Sequence, residues 1–315
     1  MSKAKTPPSG SKHDYMSQAP YWWYDPAKPG GIPYVRRDGE HNPEVDKITD
    51  HANMSRMIDE VVMLVDQGDE ESTKRAALLL RTWFLDPATR MNPNLNFAQY
   101  IPGVNNGRGT GIIETAGFTR LLPAVEKLKE CKAWTHRDRL DLDLWFSQYL
   151  QWLLESPNGK EEASAKNNHG SWYDAQVAAI ALFTGQKELA QRVISQARVK
   201  DIARQIEPDG QQPLELARTK GFSYSVFNLE ALFTLASLGD QVGVDLWNYR
   251  TSDGRRLRKA VDWLIPFATG QKKWEHDQIV DVNMDSFKRL LVKASEVYHD
   301  LGYAAAAEHL VSLNR

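Results

Sequence analysis

Helical periodicity runs through this chain almost without a break, and it restricts the possible folds more than any other feature. Apolar residues recur three and four positions apart from Met54 to Val65 and again from Thr73 to Leu85. These two runs read as a hairpin turning at Gln67-Gly68-Asp69. Further helical runs are expected at Ile112–Lys129, Asp138–Glu155, Trp172–Phe183, with Gly185 as a stop, and Glu188–Ile206. The rest are Ser225–Leu238, Val244–Tyr249, Arg255–Phe267, Asp285–Leu301 and Ala304–Leu313. No segment alternates with period two, so no sheet is expected. The pattern predicts an all-α chain of about ten to twelve helices. Chains of this kind close as rings of helical hairpins. No repeat is legible, which excludes a consensus solenoid.

The bulk properties narrow the function. With 315 residues the chain can form one large domain or two ordinary ones. A net charge of −2 argues against general nucleic-acid binding but leaves room for a local basic cleft. The single cysteine, Cys131, excludes an intrachain disulfide and a cysteine-based zinc site. No apolar run reaches membrane-spanning length. Met1 to Lys12 is polar, reads as a disordered tail and holds no apolar signal core. Two placements stay open: a cytosolic protein, or a periplasmic or extracellular one whose targeting segment was removed. A monomer is expected.

Two irregular stretches interrupt the helices. His13 to Pro43 holds five prolines and the aromatics Tyr15, Tyr21, Trp22, Trp23, Tyr24 and Tyr34, followed by Arg36 and Arg37. So many rings do not suit disorder. It reads as a long loop packed on the body, either a lid on a sugar groove or an arm that covers core. Tyr15, Trp22, Trp23, Arg36 and Arg37 are its candidate substrate contacts. Asp86 to Gly111 is rich in amides and offers Asn96, Tyr100 and Arg108 as a second candidate binding surface. Turn chemistry alone accounts for the same composition.

Two constellations carry chemistry. The first is Lys166-Asn167-Asn168-His169-Gly170-Ser171-Trp172-Tyr173-Asp174. Ser171 and Asp174 have capping-box spacing, which predicts a helix start there with Asn167, Asn168 and His169 just ahead of it. Free N–H groups at such a start suit an anion, Asn167 and Asn168 are neutral donors, and His169 can move a proton. Ordinary capping explains the same residues. The second runs from Pro208 to Ser225 and contains Arg218, Lys220 and Tyr224. A cation beside a phenol favours the phenolate, so Tyr224 can serve as a base. Taken singly, Arg218 reads as a surface charge or a partner of Glu215, and Tyr224 as core.

Together the two resemble the alginate lyase superfamily of polysaccharide lyases. The likeness rests on Asn167 to Asp174, on Asp209-Gly210 followed by Pro213-Leu214-Glu215 and Arg218, and on Ser223-Tyr224-Ser225. The motifs between His13 and Glu44 and the run from Gly107 to Glu114 resemble the same family. The resemblance implies a single domain from 13 to 315 folded as an (α/α) toroid, or incomplete barrel, with a lid-like N-terminal loop over 13–43. It implies cleavage of an anionic polysaccharide, a 1,4-linked polyuronide such as mannuronate-rich alginate, by β-elimination, with no metal or other cofactor. Asn168 would then neutralise the uronate carboxylate beside His169. Arg218 would assist Tyr224, which gives and takes the proton, and Trp172 would line the groove with Asn167 and Lys220. The chain departs from the family in a shorter Arg-to-Tyr spacing and in Ser223 and Ser225 flanking the tyrosine, which leaves the preferred uronate open.

The chemistry supports the same assignment. The C5 proton of a uronate is weakly acidic, and donors on its carboxylate stabilise the enolate-like intermediate. Mannuronate and glucuronate carry H5 and O4 on one side, so a single Tyr224 can act as base and acid; guluronate would call on His169 as base. A glucuronan lyase is the near alternative. A glycoside hydrolase would need a carboxylate pair from Glu114, Asp174 and Glu215. A non-catalytic polysaccharide-binding protein would keep the aromatics but need not combine Asn168, His169, Arg218 and Tyr224.

Overall fold

A computed structural model describes residues 5–311; the tail expected over 1–4 and the end of the last expected helix lie outside the described residues. The fold divides into two compact units. The first comprises the chain through Ala163 with Ala179–Gln186; the second comprises Ser164–Ala178 and the chain from Lys187 on.

In the first unit, α1 (Asp50–Gln67) and α2 (Glu70–Leu80) form the expected hairpin. Gly68 closes α1 at φ 73°, a left-handed conformation that suits glycine, and the Asp69 side chain accepts from Ser72 N to open α2. A π-helical turn, Arg81–Leu85, extends α2. Next come α3 (Phe118–Lys127), α4 (His136–Glu155) and the short α5 (Pro157–Ala163). The start of α4 is a capping box between Thr135 and Asp138, and Arg81 pairs with Asp138 at 2.6 Å. The core is aromatic: Phe84 sits 4.7 Å from Trp145 and 6.0 Å from Phe118, both edge-on. Such pairs add about 0.5–1.5 kcal/mol each beyond the area they bury.

The second unit begins α6 (Asn168–Phe183) and continues with α7 (Lys187–Ala197) and a second π-helical turn, Arg198–Ala203. Then follow α8 (Pro213–Leu216), α9 (Gly221–Val242), α10 (Leu257–Ala268), α11 (Asp285–Tyr298) and α12 (Leu301–Glu308). Its centre is α9, which packs on α7, α8, α10 and α11 and buries Leu229, Leu232, Leu235 and Ala236.

The all-α class holds, with four local corrections. Short strands do form in the first unit: β1 (Met16–Gln18), β2 (Trp22–Trp23), β3 (Val35–Arg36) and β4 (Phe97–Tyr100). β1 pairs parallel with β4 and β2 antiparallel with β3. At two to four residues they are too short for a period-two signal. The expected helix at Val244–Tyr249 is absent: left-handed Gly243 stops α9, and Asp245 accepts from Asn248 N in a turn. The run from Ile112 opens as the 3₁₀ segment Gly109–Thr115, and the α-helix starts only at Phe118. Residues 5–12 are built into turns, where Gly10 N donates to Pro7 O and Ser9 Oγ to Asp14.

Candidate active site

The start of α6 differs from the sequence expectation, and the difference assembles the site. The helix begins at Asn168, so Asn168 and His169 lie in its first turn, and Asn167 supplies the carbonyl that accepts from Gly170 N at 2.9 Å. Ser171 and Asp174 form no capping box. Ser171 is fully buried against Gln205, and Asp174 pairs with Lys200 at 2.7 Å. The capping group comes instead from α8. Glu215 Oε1 accepts from Asn168 N at 2.7 Å and Oε2 from Asn168 Nδ2 at 2.6 Å. A carboxylate at a helix N-terminus meets orphan N–H groups and the positive end of the dipole. Both side chains are 1% exposed. Burial pushes the Glu215 carboxyl up, while the two Asn168 hydrogen bonds and the charges of Arg218 and His169 draw it back.

Arg218 follows directly after α8. Its Nη2 donates to the Tyr224 phenol oxygen at 3.0 Å, and its guanidinium carbon lies 4.1 Å from the Tyr224 ring centroid. One short segment thus carries both Glu215, which grips Asn168, and Arg218, which grips Tyr224. Asn168, His169, Arg218 and Tyr224 are joined through it inside the second unit. Lys220 lies between them in a single bridge with Gln278. Trp172 is buried, its ring 5.1 Å from Phe227, so it packs core rather than presenting a face.

A buried polar network ties α6 to α9. Gln205 Nε2 donates to Ser171 Oγ and to Asp201 Oδ1, and Asn228 Nδ2 donates to Gln205 Oε1 and Gln212 Oε1. Gln212 Nε2 closes the chain on Ser225 O, one residue past Tyr224. Asp174 and Asp201 are neighbouring buried carboxylates, one gripped by Lys200 and the other by Gln205. Asp201 is fully buried, and burial, then the charge of Asp174, pushes this carboxyl well up.

Sequence reasoning missed three parts of this arrangement. The clamp by Glu215 was hidden because a carboxylate three residues before an arginine reads as its partner. Asn228 stands alone in an apolar run, a legible sign of a buried polar contact. Gln278 carried no signal. It donates to Ser223 Oγ, while Gly221 N donates to Asp277 O and Ile279 N to Thr219 O.

The remaining candidates lie in the first unit. Tyr15 is 2% exposed and donates to Glu114 at 2.6 Å, as does Ser17. Burial and then Glu114 push this phenol well up, so Tyr15 is a core residue and not the sugar contact expected of it. Tyr100 is buried and donates to Gln18. Arg108 donates to Gln99, whose backbone is left-handed at φ 49°. Asn96 accepts from Trp152. Trp22 and Trp23 on β2 are half-buried, Arg37 stacks on Trp23 at 5.0 Å, and exposed Arg36 pairs with Asp38. The carboxylates a hydrolase would need are engaged elsewhere: Glu114 with Tyr15 and Ser17, Asp174 with Lys200, Glu215 with Asn168.

Known proteins point the same way. A profile of the family described as alginate lyase matches residues 1–274. The structure is similar to the crystal structure of an alginate lyase from Bacteroides ovatus, with a TM-score of 0.93 and 40% identity over 98% of this chain and 84% of that one. It also resembles a histidine-to-alanine variant of alginate lyase A1-III complexed with tetrasaccharide, at TM-score 0.63 and 12% identity over 91% of this chain and 76% of the other. The apo form of that variant gives 0.61 and 14%, over 95% and 83%. At those identities the A1-III likeness shows the fold alone. None of the curated proteins compared matches the chain. The profile match over most of its length and the Bacteroides ovatus likeness together establish that the chain belongs to the alginate lyase family and is a polysaccharide lyase.

Proposed function

We propose that this lyase cleaves 1,4-linked polyuronides, mannuronate-rich alginate foremost, by β-elimination. The observation that carries the reading is the Arg218–Tyr224 hydrogen bond at 3.0 Å, linked through α8 to the clamped start of α6. In this reading Asn168 and His169 hold the uronate carboxylate and stabilise the charge that develops when C5 loses its proton. Arg218 favours the phenolate of Tyr224, which takes H5. The C4–O4 bond then breaks, the electrons form the C4–C5 double bond, and Tyr224 returns its proton to O4. The indole faces of Trp22 and Trp23, with Arg36 and Arg37, suit a polyanion and make the β2–β3 segment a candidate polysaccharide contact. A polymeric substrate fits a periplasmic or extracellular setting.

Elimination creates a conjugated double bond, and hydrolysis does not. Mixing the protein with poly-mannuronate, poly-guluronate and glucuronan should raise the near-ultraviolet absorbance fastest with poly-mannuronate. New reducing ends without absorbance would replace the lyase reading by a hydrolase. A faster response to glucuronan would reassign the substrate.

A further inference from the structure

We infer that Glu215 is a positioning residue that sets which end of the Asn168 amide the substrate meets; the inference rests on the lyase reading above. A carboxylate only accepts hydrogen bonds. With Oε1 on Asn168 N and Oε2 on Nδ2, the amide can turn only its NH₂ toward Glu215. Its carbonyl must point away, and the second Nδ2 proton is left to donate. That remaining N–H is the donor for the uronate carboxylate. With the amide inverted, lone pairs would meet lone pairs there. Glu215 is 1% exposed and reaches no solvent that could substitute for it. The same short α8 leads into Arg218, so one element orients the carboxylate-binding amide and the tyrosine's cation together.

Glu215→Gln tests this with almost no change in volume. The Gln carbonyl keeps Asn168 N, which puts the Gln NH₂ opposite Nδ2. Two donors then face each other, and the pair is repaired only if the Asn168 amide inverts. On poly-mannuronate the variant should lose kcat by roughly a hundredfold to a thousandfold, as for a lost preorganised donor, with KM and the unfolding temperature close to native. A kcat near native overturns the inference while leaving the lyase reading intact. A second measurement needs no turnover. In proton–nitrogen spectra of the native protein, the Asn168 side-chain pair is identified by its loss in Asn168→Ala. It should show one strongly downfield, slowly exchanging proton, and this signature should vanish in Glu215→Gln. An ordinary, freely exchanging pair in the native protein overturns the clamp. Absence of elimination with an intact signature instead sinks the lyase reading.

Discussion

A free phenol has a pKa of about 10 and is a poor base near neutral pH, so the worth of Tyr224 lies in what surrounds its oxygen. Arg218 is the group that does so, hydrogen-bonding the oxygen and stacking on the ring. Tyr224→Phe removes the oxygen and keeps the ring. Its unfolding temperature should match native, and its rate on poly-mannuronate should fall by about a hundredfold to ten-thousandfold, the range for a lost general acid–base. A variant that still turns over well would pass the base role to His169. At this scale the sequence was informative where chemistry is local: six positions separate Arg218 from Tyr224, and both were legible. It was silent where the partner is remote. Glu215 lies 47 positions from the amide it holds, and nothing in either neighbourhood announces the pairing. Tyr15 misled for the opposite reason: aromatic neighbours suggested a sugar contact, while its own hydroxyl is spent on Glu114.

Among the elements, those with their own stop and start signals were legible, such as the hairpin of α1 and α2 around Gly68 and Asp69. Those completed by a distant group were not. The start of α6 was placed too late because Ser171 and Asp174 imitate a capping box, while the true cap arrives from α8. The start of α4 is a genuine capping box, and Arg81 and Thr135 hold the Asp138 carboxyl down at about 2. A depressed carboxyl contributes stability that is present above its ordinary value of 3.8 and lost as pH falls through 2. Asp138→Ala should therefore lower stability by about 1 kcal/mol at neutral pH, typical of a lost cap. That difference should shrink as unfolding is measured at falling pH. A gap that stays constant into acid would mean that packing, not the charge, is what the variant loses.

For the whole molecule, the two units carry titrating groups of opposite sign. Asp138, in the first, stabilises the folded state as pH rises past its ordinary range. Asp201, in the second, is raised, so the folded protein holds its proton more tightly than the unfolded chain does. Its contribution is fullest below 3.8 and is lost as pH climbs through the folded value. Asp201→Asn keeps the shape and removes the titration. As pH rises above about 4, the native unfolding temperature should decline relative to that of the variant. Parallel curves would show that Asp201 is not the group being titrated. Helical class was legible from periodicity, because helices such as α1, α3, α10 and α11 each carry an apolar face, while the longer apolar runs of α6 and α9 read as buried helix. The buried polar network was not, since Gln205, Gln212 and Asn228 meet only after folding.

The clasp on the first turn of α9 has a consequence in time. Gln278 grips Ser223 across 55 positions of chain, and the backbone of residues 277–279 seals that of residues 219–221. A ribosome therefore finishes Tyr224 well before it makes the segment that braces the turn around it. Nascent chains halted between the two carry every residue of the proposed chemistry and none of the brace. Completion of the brace, not of the motif, marks when the site can be whole.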